Sequence, residues 1–285
     1  MILRGLNALK SVILSQKMNK IFYILLIAVT LGSCSSYQKA LKSEDVAVKY
    51  DVATKMYEAG KYTKAIRLFE QIAPSYRGKP AAEKMFYMFA QSYYKTKQHY
   101  LAGYQFDSFT SSYPRSEKAE EAAFLAAESY SKLSPRFSLD QVDTNKAIDK
   151  LQSFIDRYPD SQYLPQANVL VKDLREKLEK KGFEIAKQYH TIGEWSRDYG
   201  AAIKAFDNFL ADYPGTPFKE KALYYRFDSA YLLAINSIES KKQERLNFAK
   251  TAYASLVKFN ESSEYKADAD KKLASIEKQL QQFSN

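Results

Sequence analysis

The chain is poor in most of the residues that build metal and redox sites. It has one cysteine and two histidines in 285 residues. A single cysteine excludes an intrachain disulfide framework and a thiolate metal cluster. Two histidines leave little room for a multi-histidine metal site. Glycine (9) and proline (8) are scarce, so turns are few, and a β-sandwich would need many more turn residues. Tryptophan occurs once, whereas tyrosine (23) and phenylalanine (17) are abundant. At 46% hydrophobic and 27% charged residues the composition is globular rather than disordered. Together with the many Ala, Lys, Glu and Leu it points to long helices and to a protein without bond chemistry. No Gly-x-Ser-x-Gly, glycine-rich phosphate loop or His-Glu-x-x-His occurs. The expected catalytic, metal and cofactor sets are therefore all none.

The only long apolar run lies near the start. Lys17 to Lys20 precede Ile21 to Leu31, eleven residues that are too few to span a bilayer. A basic segment followed by a short apolar one reads as a secretory signal. Leu31-Gly32-Ser33-Cys34 resembles the bacterial lipobox, in which the cysteine receives diacylglycerol. The sole cysteine thus stands where lipid attachment needs it, and Cys34 is the expected palmitate-bearing lipidation site. Residues 1–33 are read as the signal peptide, with 1–17 a possible upstream extension of a start at Met18. Removing them takes away Arg4, Lys10, Lys17 and Lys20 and no acid, so net charge falls from +10 to +6. That modest excess gives no reason to expect nucleic acid as a partner. Acyl chains at Cys34 would anchor the protein without a spanning helix. The absence of Asp just after Cys34, and of an acidic cluster there, resembles sorting to the outer membrane with the chain facing the periplasm.

A repeat fills the remainder. Tyr62-x-x-Ala65-x-x-x-Phe69-x-x-Ile72 recurs as His99, Ala102, Phe106, Phe109 and as Thr144, Ala147, Leu151, Phe154. It recurs again as Tyr199, Ala202, Phe206, Phe209 and as Leu246, Ala249, Tyr253, Leu256. Successive alanines are 37, 45, 55 and 47 residues apart. Positions i, i+4 and i+7 share one helix face, so the alanine lets two helices approach and the aromatic fills the space one turn later. Pro114, Pro159 and Pro214 stand twelve residues after three of the alanines and stop the helix, while Arg77 and Glu261 hold that slot in the other two. Upstream, Met85, Ala122 and Ala222 are followed seven residues on by Ser92, Ser129 and Ser229, the mark of a preceding helix.

The pattern resembles the tetratricopeptide repeat, whose period is about 34 residues. The expected fold is all-α: a tetratricopeptide-like right-handed helical solenoid of about five helix pairs plus a C-terminal capping helix. Residues 34–44 would be a lipidated tether and 45–285 a single repeat domain. Within it, N-terminal repeats are expected over about 45–135, C-terminal repeats over about 143–260 and the cap over about 263–283. Pro135 to Asp143 is the expected inserted loop, and about Pro165 to Trp195 one extended helix. Ile185-Ala186-x-x-Tyr189, Tyr199-x-Ala201-Ala202, Asp212-Tyr213-Pro214-x-Thr216 and Ser229-Ala230-Tyr231 resemble, more narrowly, the BamD family of outer-membrane protein assembly lipoproteins. Gly182, where a Glu is expected, and Ser196-Arg197, which looks inserted, depart from that pattern.

The resemblance implies a lipid-anchored scaffold of the outer-membrane β-barrel assembly (BAM) complex. Its implied partners are BamA, other BAM subunits and unfolded barrel precursors, with no nucleic acid and no small-molecule substrate. Two rival readings stand beside it: another periplasmic tetratricopeptide lipoprotein of envelope or peptidoglycan maintenance, or a SusD-like glycan-binding lipoprotein, a family usually much longer and richer in tryptophan than this chain. In tetratricopeptide proteins the first helix of each pair lines the concave face. Carried over, that frame predicts a peptide groove of Tyr50, Tyr57, Tyr87, Gln91, Tyr94, Lys95, Phe124, Glu128 and Lys132. Rings offer rigid contact area, and lysine can meet a terminal carboxylate. Contacts with BamA are expected over about 200–260, with Lys221, Tyr224 and Asp228 as candidates. His99 is expected to pack at a helix start, His190 to face solvent, Trp195 to pack at the end of the long helix, and Lys180-Lys181 to be solvated.

Overall fold

The computed structural model describes residues 36–283, and the expected signal segment with Cys34 lies outside them. After a short helical turn over residues 36–42, eleven helices follow among the described residues. The chain divides into two compact units, one ending at Lys132 and one beginning at Leu133. The first holds α1 (Val46–Glu58), α2 (Tyr62–Tyr76), α3 (Ala82–Lys95), α4 (His99–Ser112) and α5 (Ala119–Ser131). The second holds α6 (Val142–Arg157), α7 (Leu164–Ser196), α8 (Gly200–Asp212), α9 (Lys219–Ile235), α10 (Glu239–Phe259) and α11 (Lys266–Gln281).

The repeat slots are the core of both units. Ala65, Ala102, Ala147, Ala202 and Ala249 are all 0% exposed. Phe69, Phe106, Leu151 and Phe206 fill the next slot, and Ile72, Phe109, Phe154, Phe209 and Leu256 the third, all buried. Each such Phe contributes about 1.5–3 kcal/mol relative to exposure. On the opposing helices Ser92, Ser129 and Ser229 are fully buried. Each donates its hydroxyl to the carbonyl four residues back, of Met88, Leu125 and Tyr225 respectively. A buried hydroxyl satisfied this way carries no desolvation penalty and leaves a small side chain at the crossing.

The Tyr-Pro-x-Ser/Thr segments are a stop-and-restart device. Tyr113, Tyr158 and Tyr213 cap α4, α6 and α8 with nearly one geometry, φ near −130° and ψ of 60–67°. Each donates its N–H to the carbonyl of the Phe four residues earlier. Each ring packs on that Phe at 5.3–5.4 Å. The following proline cannot continue the ladder. Ser116, Ser161 and Thr216 then accept a backbone N–H from two residues on, turning the chain into the next helix. Ser263 does the same after α10 without a Tyr-Pro before it.

Tyrosine hydroxyls tie neighbouring helices to carboxylates. Tyr93 donates to Glu70, Tyr94 to Glu128 and Tyr130 to Asp107 in the first unit. Tyr224 donates to Asp268 and Tyr253 to Asp270 in the second. The ring is buried or half-buried and its polar end is satisfied, which is the use tyrosine is suited to.

The 33-residue α7, about 50 Å long at 1.5 Å per residue, accounts for the largest repeat offset. Its first half buries Ala167, Val171 and Leu174, and its second half Phe183, Ala186, His190 and Gly193. Gly182 sits where α7 meets α8: an added Cβ would lie 3.1 Å from the Phe209 ring and 3.3 Å from Tyr213. A side chain there would press on both rings, so glycine is the residue this close approach suits. Lys180 and Lys181 are not simply solvated. Lys181 donates to the carbonyl of Leu139, Lys180 lies over the Phe137 ring, and Lys177 bonds Ser134. Three lysines on one helix pin the connecting loop after residue 132.

Candidate functional site

The first unit contains a groove of about 480 Å³ where α1, α3 and the start of α5 converge. Tyr57 and Tyr87 form its aromatic walls, Met88 and Phe109 its floor, and Lys84 and Lys118 stand on a rim of mixed charge with Glu58 and Glu83. Lys118 lies over the Tyr87 ring at 5.5 Å and pairs with Glu121. Tyr87 packs edge-on against Phe106 and Phe109, and its hydroxyl accepts from Gln91 at 2.8 Å. Burial pushes the Tyr57 and Tyr87 hydroxyls above the usual tyrosine range, so both stay neutral donors.

Of the nine residues expected to form a groove, the structure brings only Tyr57 and Tyr87 to this one. Tyr50 stacks on Tyr76 at 4.9 Å and is a packing residue. Phe124 is 2% exposed, inside the core. Gln91 and Glu128 are buried and hydrogen-bonded, to Tyr87 and Tyr94. Lys132 is an exposed ion-pair partner of Glu128 at 3.7 Å, and Lys95 is exposed. The groove opens instead at the N-terminal ends of α3 and α5. Lys84 and Lys118 were therefore missed by a frame that followed the middles and ends of those helices. Their signal was present: each lies within three residues of a helix start, flanking Tyr87 in space.

In the second unit the candidates for partner contact are mostly committed internally. Lys221 is exposed, but Tyr224 stacks on Tyr265 at 4.2 Å and bonds Asp268. Asp228 is 8% exposed, and Lys272 Nζ lies 2.7 Å from its Oδ1 without hydrogen-bond alignment. The expectation that His190 faces solvent is overturned. It is 6% exposed, with Nδ1 2.9 Å from Ser229 Oγ and Nε2 3.5 Å from Asp228. The Ser229 hydroxyl also lies 2.7 Å from the Tyr225 carbonyl, so His190 and that carbonyl meet at one hydroxyl. Burial lowers the His190 pKa, the Asp228 carboxylate opposing this. Ser229, His190 and Asp228 have the residue types of an acyl-transfer triad, but Ser229 is fully buried with its proton committed to backbone. The trio clamps α7 to α9, and Lys272 extends the clamp to α11. His99 begins α4 with its ring edge-on to Tyr94, a packing role as expected.

Trp195 does not pack: it is 87% exposed. With Ile185, Tyr189 and Ile192, exposed by 43–53%, it forms an apolar stripe at i, i+4, i+7 and i+10 along α7. Side chains turned outward for one helix face are what contact with a partner requires. Among the described residues no cluster of three potential metal ligands occurs, and no helix is long and apolar enough to cross a membrane.

Buried alanine–aromatic slots, repeated caps and a groove without reacting groups define an all-α helix-pair repeat protein of tetratricopeptide type. The YfiO family model, described as outer membrane lipoprotein, matches residues 42–197 and 195–283. The chain belongs to that family, the BamD family of outer membrane lipoproteins. No curated protein is significantly similar to it. Among solved structures it resembles nearly identical TPR-like repeats of Podosopora anserina, at 14% identity and TM-score 0.31, over 76% of this chain and 97% of that one. It also resembles a thermophilic TPR protein of Thermus thermophilus, at 16% identity and TM-score 0.30, over 81% and 98%. The family match alone carries the assignment.

Proposed function

We propose that the protein is a lipid-anchored, periplasm-facing scaffold of outer-membrane β-barrel assembly that binds BamA and receives unfolded barrel precursors. Membership in an outer membrane lipoprotein family supports the setting. The observation that carries the reading is the groove of the first unit. Its tyrosine walls and apolar floor suit an aromatic side chain, and Lys84 and Lys118 suit a terminal carboxylate. Barrel proteins end in an aromatic residue with a free carboxylate, so one short segment meets both features. The stripe Ile185, Tyr189, Ile192, Trp195 is the surface of the second unit best suited to BamA, in place of the internally committed Tyr224 and Asp228. Cys34 bears the lipid, and no cofactor or bond chemistry is involved.

Depletion tests the whole reading. Unrelated outer-membrane barrels should all fall in abundance; normal barrel levels beside another failing envelope process would end it. The groove is tested by anisotropy with a labelled peptide ending in Phe. Tyr57→Ala with Lys84→Ala, or amidation of the peptide terminus, should weaken binding about tenfold or more. Unchanged affinity in both arms would remove the peptide from this groove.

A further inference from the structure

The first unit has a second cleft, on the flank formed by α2 and α4. Two contiguous cavities of about 450 and 530 Å³ share Ala73, Arg77, Phe89 and Gln105. The floor is apolar, with Phe89 4% and Phe109 1% exposed. Along α4, Gln105, Ser108 and Ser112 line the wall at i, i+3 and i+7, on one helix face. None of their side chains has a hydrogen-bond partner among the described residues, and Arg77 has no carboxylate within ion-pair distance; Glu70, which lines the second cavity, accepts from the Tyr93 hydroxyl. The cleft opens where the repeat departs from its own rule. Arg77 occupies the slot held elsewhere by Pro114, Pro159 and Pro214, and α2 ends at Arg77 with φ −57° and ψ 130° rather than on the tyrosine cap. Gly78 then turns the chain at φ 80° with open space around it.

We propose that this cleft binds an extended segment of a partner protein that places an aliphatic or aromatic side chain on the Phe89 floor and an internal Asp or Glu against Arg77. The acid is internal because Arg77 lines both cavities and stands between them, so chain continues on either side of it. An unpaired guanidinium beside an apolar floor is complementary to a carboxylate flanked by apolar residues. The free amide of Gln105 and hydroxyls of Ser108 and Ser112 supply donors and acceptors for the segment's backbone. This site is separate from the terminal-carboxylate groove, although Phe109 belongs to both linings.

The test uses the full mature chain and a labelled heptapeptide, Ser-Gly-Phe-Glu-Phe-Gly-Ser, acetylated and amidated. It has no free terminus and so does not address the groove reading. Saturable binding is expected. Arg77→Ala, or Glu to Gln in the peptide, should each weaken it about tenfold, and combining them should add nothing further. Ser108→Trp, which fills the cleft, should abolish binding, while Tyr57→Ala should leave it unchanged. Arg77 is exposed, so its variant keeps the fold, and the peptide change needs no folding control. No binding at millimolar peptide, affinity unchanged from the parent pair for Arg77→Ala or for the Gln peptide, or loss through Tyr57→Ala would each overturn the assignment.

Discussion

Lys97 takes a backbone conformation that suits glycine. It lies at φ 59°, in the same turn where the first helix pair has Gly60 at φ 70°. Both turns close alike: Gly60 and Lys97 donate to Tyr57 and Tyr94, and Lys61 and Gln98 to Met56 and Tyr93. The left-handed region costs a side-chain-bearing residue about 1 kcal/mol. Lys97→Gly is therefore expected to stabilise the first unit by roughly that amount, read as a higher urea midpoint. Gly193 presents the opposite case. A Cβ there would stand 2.5 Å from the Tyr199 ring, so Gly193→Ala should cost about 1–3 kcal/mol. A melting temperature equal to that of the parent would refute the close approach. At this scale the repeat slots were legible in the sequence because alanine fills the first and a large apolar residue the others on a fixed spacing. Lys97 and Gly193 were not, since a turn conformation and a helix–ring contact leave no periodic signal.

Among the elements, α7, α9 and α11 are joined by buried polar groups rather than by alanine and phenylalanine alone. Burial lowers the His190 pKa. The charged groups that face it are Glu194 and Lys187 from its own helix, Asp228 from α9 and Lys272 from α11. The sign follows from linkage. The folded state holds this imidazole neutral to lower pH than the unfolded chain, whose histidine titrates near 6.5. Below about pH 6.5 the unfolded state binds a proton that the folded state refuses, so stability falls as pH falls toward the folded pKa. His190→Gln removes the titration and keeps a donor for Ser229. Urea midpoints at pH 7.5 and 5.5 should thus differ less for the variant than for the parent, and equal differences would remove His190 as the cause. His99, also lowered by burial, is common to both proteins and cancels in the comparison. The sequence placed His190 on α7 correctly but on the wrong face. One residue separates it from the exposed Tyr189, a rotation of about 100° on a helix of 3.6 residues per turn. Only the packing of α9 decides which of the two is covered.

For the whole molecule, the proposed membrane attachment comes down to one thiol. The described residues offer no helix able to cross a bilayer, while the family is one of outer membrane lipoproteins. A single acyl chain gives only reversible binding, and stable anchoring needs more than one, which a diacylated cysteine supplies. Cys34→Ser should abolish labelling by radioactive palmitate and move the chain from the membrane pellet to the soluble fraction. Its helix content and melting should stay unchanged, because both cores lie after residue 36. Barrel levels in cells carrying only this variant should then fall, since a scaffold acting at a membrane gains its effective concentration from being held there. Continued pelleting of the serine variant after an alkaline carbonate wash would mean that another surface, not the lipid, carries attachment. The exposed α7 stripe would be the first to examine, and Ile192→Glu with Trp195→Ala would show whether it, rather than Cys34, keeps the protein at the membrane.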